Sequence, residues 1–137
     1  MTKEKIKNAL IISLFSFIIG TFQMYWFLPD GLSCIDAKSG IIEAVFKFMS
    51  IQALIVFLIY ATLIFNISRY ISFTFLLFYW FFINKNEFTN RHACWSTFSN
   101  TEITYHSLYK SIIPIVTCLI IFVISVYLYK SKSKKIQ

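Results

Sequence analysis

Four long apolar stretches, separated by short polar ones, dominate the chain. The first, "ALIISLFSFIIGTFQMYWFL" at 9–28, is twenty residues without a charge. At 1.5 Å per residue a helix of that length reaches about 30 Å, the thickness of a bilayer's hydrocarbon core. Pro29, Asp30 and Gly31 then stop it. A helix resumes at Ile41, where Glu43 and Lys47 stand four apart with the acid first, the favourable order for a helical ion pair. Residues 48–83 are apolar apart from a few polar side chains and Arg69. As one helix they would reach about 54 Å, nearly twice the hydrocarbon thickness, so two spans joined near Asn66–Tyr70 are expected. A polar segment at 84–110 follows, then "SIIPIVTCLIIFVISVYLY" at 111–129, with Pro114 near the end where a helix tolerates it best. "KSKSKKIQ" reads as a basic, disordered tail.

The expected fold is an all-α membrane protein forming a single integral domain over 1–137. Its four transmembrane helices fall at about 9–28, 45–65, 67–83 and 111–129, with a basic cytoplasmic tail at 130–137. Two outer loops, 29–40 and the polar segment, form a small extracytoplasmic cap. Composition strengthens the reading: 58% of residues are hydrophobic, 20% aromatic and 14% charged, against about 25% charged in a soluble domain. Lys3, Lys5 and Lys7 before the first run suggest a signal peptide. The run is too long, however, and Tyr25 and Trp26 stand near where a small-residue cleavage site belongs, so an uncleaved span is expected.

Charge orients the spans. Lys3, Lys5, Lys7, Arg69, Lys130, Lys132, Lys134 and Lys135 fall in the candidate inner segments with the single acid Glu4, a net +7. The candidate outer segments hold five cations and five acids and are neutral. The positive-inside rule then places both termini in the cytoplasm of a cell inner (plasma) membrane. The same scatter of basic residues over termini and helix ends, on no continuous face, argues against a nucleic-acid partner.

Two polar islands carry the candidate chemistry. "LSCIDAKSG" contributes Cys34 and "HACWSTF" contributes Cys94. On the expected topology both lie in one oxidising compartment, which predicts a disulfide stapling the two loops. A redox-active pair of the DsbB type would need a second, closely spaced dithiol that the chain lacks. Cys118 sits inside the last apolar run and reads as packing. His92 and His106 with Cys94 fall short of a four-ligand metal set, so neither a metal nor any other cofactor is expected. His92, Trp95, Phe98 and Tyr105 form a candidate partner-binding patch, since aromatics anchor interfaces.

The spans carry almost no ionisable residue, unlike a transporter or proton relay. No nucleophile triad, paired carboxylates or phosphate loop appears, so an enzyme is not expected. The expected function is binding: a small, non-catalytic, multi-pass protein whose partners are the bilayer and a membrane protein or membrane-inserted toxin. In size, helicity, basic inner side and short outer loops the chain is similar to the immunity proteins against pore-forming bacteriocins, a likeness of architecture without a shared motif. The alternatives are an accessory subunit of a larger membrane complex or a member of an uncharacterised membrane family.

Overall fold

The computed structural model describes residues 3–28, 40–93 and 98–135, with backbone alone at 92–93 and 132–135. Four helices account for nearly all of them: α1 (Lys3–Phe27), α2 (Ile41–Thr62), α3 (Phe65–Phe88) and α4 (Asn100–Lys135), with a π-helical turn at Thr89–Ala93. No strand occurs among the described residues. Helices α1, α2 and α4 are long and apolar enough to cross a membrane.

Apolar side chains cover both faces of the helices, and the polar side chains of α1's apolar run lie on the inward face. On α1, Leu10, Leu14, Ile18 and Phe22 recur every fourth residue and are all more than half exposed. The opposite face buries Ala9, Ile12, Ser16 and Gln23 completely. Apolar side chains outward and polar ones inward is the arrangement that a hydrocarbon solvent rewards and water does not.

Contacts between chain-distant residues fix the helix order. Lys5 Nζ donates to the Thr62 carbonyl at 3.0 Å. Tyr129 donates its hydroxyl hydrogen to Asn8 Oδ1 at 2.7 Å. Lys130 Nζ reaches Asn66 Oδ1 at 3.5 Å and lies 4.1 Å from the Phe65 ring centroid. The start of α1, the break between α2 and α3, and the last turns of α4 therefore meet at one end, and the four helices alternate in direction. Lys5, Arg69 and Lys130, scattered in sequence, all belong to that end.

The break itself is two residues, Leu63 and Ile64, both extended (φ −88°, ψ 168° and φ −71°, ψ 140°). It was expected at Asn66–Tyr70, and no glycine or proline marks it. Ser68 holds it instead, with its hydroxyl within hydrogen-bond reach of the carbonyls of Ile59 (3.1 Å) and Ile64 (3.0 Å) on either side. Arg69 consequently lies in the second turn of α3 rather than in the loop, with its guanidinium carbon 5.1 Å from the Tyr70 ring centroid.

Three further expectations change. The polar segment 84–110 is mostly helix, because α3 continues to Phe88 and α4 begins at Asn100; its share of the cap shrinks to the few residues between Ala93 and Asn100. Pro114 therefore stands well inside α4 rather than near its start. The helix also continues through Lys135, where a disordered tail was expected.

The core has two halves. Ala9, Ile12, Val56, Leu76, Trp80, Cys118, Phe122 and Val126 fill the half nearer the lysine-rich end. Met24, Phe27, Val45, Met49, Ile83, Phe88 and Ile103 fill the other. Gln52 couples the helices where these halves meet. Its Nε2 donates to the Ser16 carbonyl at 2.7 Å and its Oε1 accepts from Trp80 Nε1 at 2.6 Å, all three residues being fully buried. Gly20 lets this side chain in: a Cβ there would lie 2.5 Å from Met49 Sδ and 2.6 Å from Gln52 Nε2. Three helices are thus joined by one satisfied amide.

Candidate functional site

The end opposite the lysine-rich one carries the rest of the chemistry. The buried stripe of α3 runs Ser68, Ser72, Leu76, Trp80, Ile83 and Asn84, then Glu87. Those steps of three and four keep one face inward. The stripe turns polar at Asn84 but does not turn away from the bundle. Glu87 and Arg91 continue it and pair across one turn, Arg91 Nε donating to Glu87 Oε2 at 2.7 Å, with side chains only 7% and 3% exposed. Arg91 belongs to the π-helical turn, and Thr89 ties that turn back by donating its hydroxyl to the Lys85 carbonyl at 2.9 Å. Widened turns of this kind often occur where a helix serves a site.

A cleft of about 300 Å³ opens beside this pair, between the first turns of α2 and the end of α3. Glu43, Lys47 and Phe48 line one wall, and Glu87, Asn90 and Arg91 the other. The helical pair expected between Glu43 and Lys47 does not form. Both side chains are exposed, and Lys47 Nζ lies 5.4 Å from the Phe48 ring centroid. Two acids and two bases thus face one small volume; Glu87 pairs with Arg91, and Glu43 and Lys47 do not pair with each other.

Several buried polar groups have no partner, among them the hydroxyls of Tyr60 and Ser72. The side-chain amides of Gln23 on α1 and Asn84 on α3, and the Ser107 hydroxyl on α4, are fully buried without a hydrogen-bond partner. Each such group costs about 1–3 kcal/mol if it stays unpaired.

The start of α4 is held by a reciprocal cap. Ser99 offers its backbone N–H and its hydroxyl to Glu102 Oε2, both at 2.8 Å, while the Glu102 N–H points back to Ser99 Oγ at 3.4 Å. The Ser99 N–H, and then its hydroxyl, hold the Glu102 carboxyl below the usual carboxylate range. From this fixed start α4 displays aromatics. Phe98 and Tyr105 both pack on the His106 ring, at 5.4 and 5.9 Å between centroids. Tyr105 also stacks with Tyr109 at 6.5 Å and 14°. Tyr105 and Tyr109 are 66% and 73% exposed.

Of the expected patch, Phe98 and Tyr105 therefore come together around His106. Trp95 lies outside the described residues, as do Cys34 and Cys94 with their expected disulfide, and His92 is described only in its backbone. Cys118 is free and buried in the core. Sequence reasoning missed the cleft because it ended the third helix at 83. Following the stripe onward from Trp80 in steps of three and four leads directly to Glu87 and Arg91. It also missed the cap, although "SNTE" at 99–102 carries the serine-x-x-glutamate pattern of a helix start.

The architecture is that of an all-helical bundle with at least three helices suited to a bilayer. Compared with known protein families, curated proteins and solved structures, the chain matches none of them.

Proposed function

We propose that this chain is a four-span inner-membrane protein, with both termini cytoplasmic, that acts by binding a membrane protein or a membrane-inserted toxin rather than by catalysis. One observation carries the reading: an exposed aromatic ladder, Phe98–His106–Tyr105–Tyr109, is fixed at the outer end of a bundle whose flanks are apolar. Aromatic residues held rigidly at low entropic cost are the usual anchors of protein recognition. Helix α3 serves as the fourth span. Its 24 residues match the neighbouring helices, and its alternation in direction brings both termini to the lysine-rich end, which the positive-inside rule assigns to the cytoplasm.

An immunity-type role against a pore-forming bacteriocin is the specific form we favour, since such a toxin presents membrane-inserted helices to the outer face. The accessory-subunit reading draws on a different surface. An apolar groove of about 380 Å³ between α3 and α4, lined by Leu77, Phe78, Phe81, Leu108, Ile112 and Val116, has the chemistry of a helix-docking site. On the proposed topology Cys34 and Cys94 share the outer compartment, where a disulfide would staple the two loops.

Photo-crosslinking in native membranes tests the reading. A crosslinker in place of Tyr105 is expected to yield a discrete protein adduct, and one in place of Phe78 in the groove none. Adducts to lipid alone at both positions would sink the binding role. A protein adduct at 78 alone would favour the subunit. Reporter fusions after residue 137 and near Lys38 are expected to report opposite compartments.

A further inference from the structure

The cleft between α2 and α3 is built for a ligand of a particular charge pattern. Its four ionisable walls sum to zero, so neither a simple anion nor a simple cation gains from entering: each meets a like charge beside the opposite one. Glu87 and Arg91 pair with each other. Glu43 and Lys47 are not paired, although they stand one turn apart on the same helix face, and they present a separated carboxylate and ammonium to the opening. A net-neutral group with its own separated charges matches this arrangement, its phosphate against Lys47 and its ammonium against Glu43. Phe48 supplies an apolar wall beside them.

We propose that the cleft binds a zwitterionic phosphoammonium group, the chemistry of a phosphatidylethanolamine headgroup and of soluble phosphorylethanolamine. The location favours the lipid. Glu43 and Lys47 lie in the first turns of α2, just before its apolar run, and Ile42 and Phe46 beside them are 59% and 63% exposed. On the membrane reading above, on which this inference rests, that is the depth of the headgroups. Acyl chains would continue along the outward apolar face of α2.

Native mass spectrometry of the full chain in neutral detergent tests this, with phosphatidylethanolamine and phosphatidylglycerol of identical acyl chains offered in equal amounts. The ethanolamine lipid is expected to be retained preferentially. Lys47→Gln is expected to lower its retention about tenfold, the loss appropriate to one charge-assisted hydrogen bond. Glu43→Gln is expected to erase the discrimination between the two lipids. Both side chains are exposed, so the fold survives these changes, and circular dichroism verifies it. Lys110→Gln alters a cation at the same end that packs over Phe88 and lies outside the cleft walls; it is expected to leave retention unchanged. Displacement of the lipid by excess phosphorylethanolamine would show that the headgroup alone suffices; failure to displace it would assign the site to the intact lipid. Equal retention of both lipids by the wild-type chain, or retention indifferent to Lys47 and Glu43, overturns the proposal and leaves the membrane reading standing. Recovery of the protein from cells in the aqueous fraction overturns both.

Discussion

Gln52 and Gln23 are both glutamines with no exposed surface, on helices that pack together, yet they live differently. Gln52 uses both ends of its amide, one on the Ser16 carbonyl and one on the Trp80 indole. Gln23, one turn beyond the Gly20 that admits Gln52, uses neither. In the middle of the bundle Gln52 joins three helices, and Gly20 makes room for it. Toward the end opposite the lysines Gln23, Asn84 and Ser107 stand unpaired, as do the Tyr60 and Ser72 hydroxyls elsewhere in the bundle. A low-dielectric interior makes an unmet polar group costly, so the Gln52 amide holds helices together where the Gln23 amide gains nothing.

The comparison can be broken hardest at Glu87, whose buried carboxylate is paired with Arg91. Glu87→Leu takes the carboxylate away from the buried Arg91 charge and is expected to cost about 3–5 kcal/mol, whereas Glu87→Leu with Arg91→Met recovers most of that loss. Denaturant titration of the two variants in the same detergent decides. If the single and double variants are equally stable, Arg91 escapes to water and this end is wetter than its burial implies.

Gln52→Leu comes next. It keeps the volume but leaves the Trp80 N–H without an acceptor, and is expected to cost about 2–3 kcal/mol, with a shift in tryptophan fluorescence marking the changed site. Gln23→Leu is expected to go the other way and raise stability by about 1 kcal/mol, because it removes a desolvated amide that has no bond to lose. The opposite signs are the test. Should Gln23→Leu destabilise as Gln52→Leu does, its amide is already occupied, by water or by the lipid proposed for the cleft, and repeating the measurement in delipidated protein separates the two.

How much of this was legible in the sequence depends on which signal each element used. Apolar run length picked out α1, α2 and α4 as helices long and apolar enough to cross a membrane, but not their ends, since α4 runs from Asn100 to Lys135 where 111–129 was expected. Charge at the chain ends and at Arg69 indicated the shared end, and Lys5, Arg69 and Lys130 do lie there. The break at Leu63–Ile64 was illegible because a serine hydroxyl holds it, and Ser68 is indistinguishable in sequence from the other serines of the spans. The cleft was missed for a different reason. Hydropathy falls after Ile83 and suggests a loop, but the helix and its inward face continue, and only the position of Glu87 and Arg91 on the Trp80 stripe reveals it. The aromatic patch was half legible: Phe98 and Tyr105 were singled out, while His106, the ring on which both pack, was set aside as surface.

The smallest expected effect lies at the start of α4, where the aromatic ladder gets its rigidity. Ser99 and Glu102 cap the helix reciprocally, and both are exposed, so the cap governs local order more than global stability. Ser99→Ala is expected to cost roughly 1 kcal/mol of local helix stability, seen as faster amide exchange over 100–104 with no change in the core. The pH dependence has a definite sign. The folded chain holds the Glu102 carboxyl below its ordinary range, so the charged form is the one the cap favours. Its contribution is fully present above the ordinary carboxylate pKa and fades as pH falls through the lowered folded value. Amide protection at 100–104 should therefore hold at neutral pH and weaken in acid. Glu102→Gln should flatten that dependence while retaining part of the cap through its side-chain oxygen. If the ladder anchors a partner because α4 presents it rigidly, crosslinking at Tyr105 should weaken in Ser99→Ala while all its aromatic residues remain. Unchanged crosslinking would mean that the rings recognise the partner without needing to be held in place.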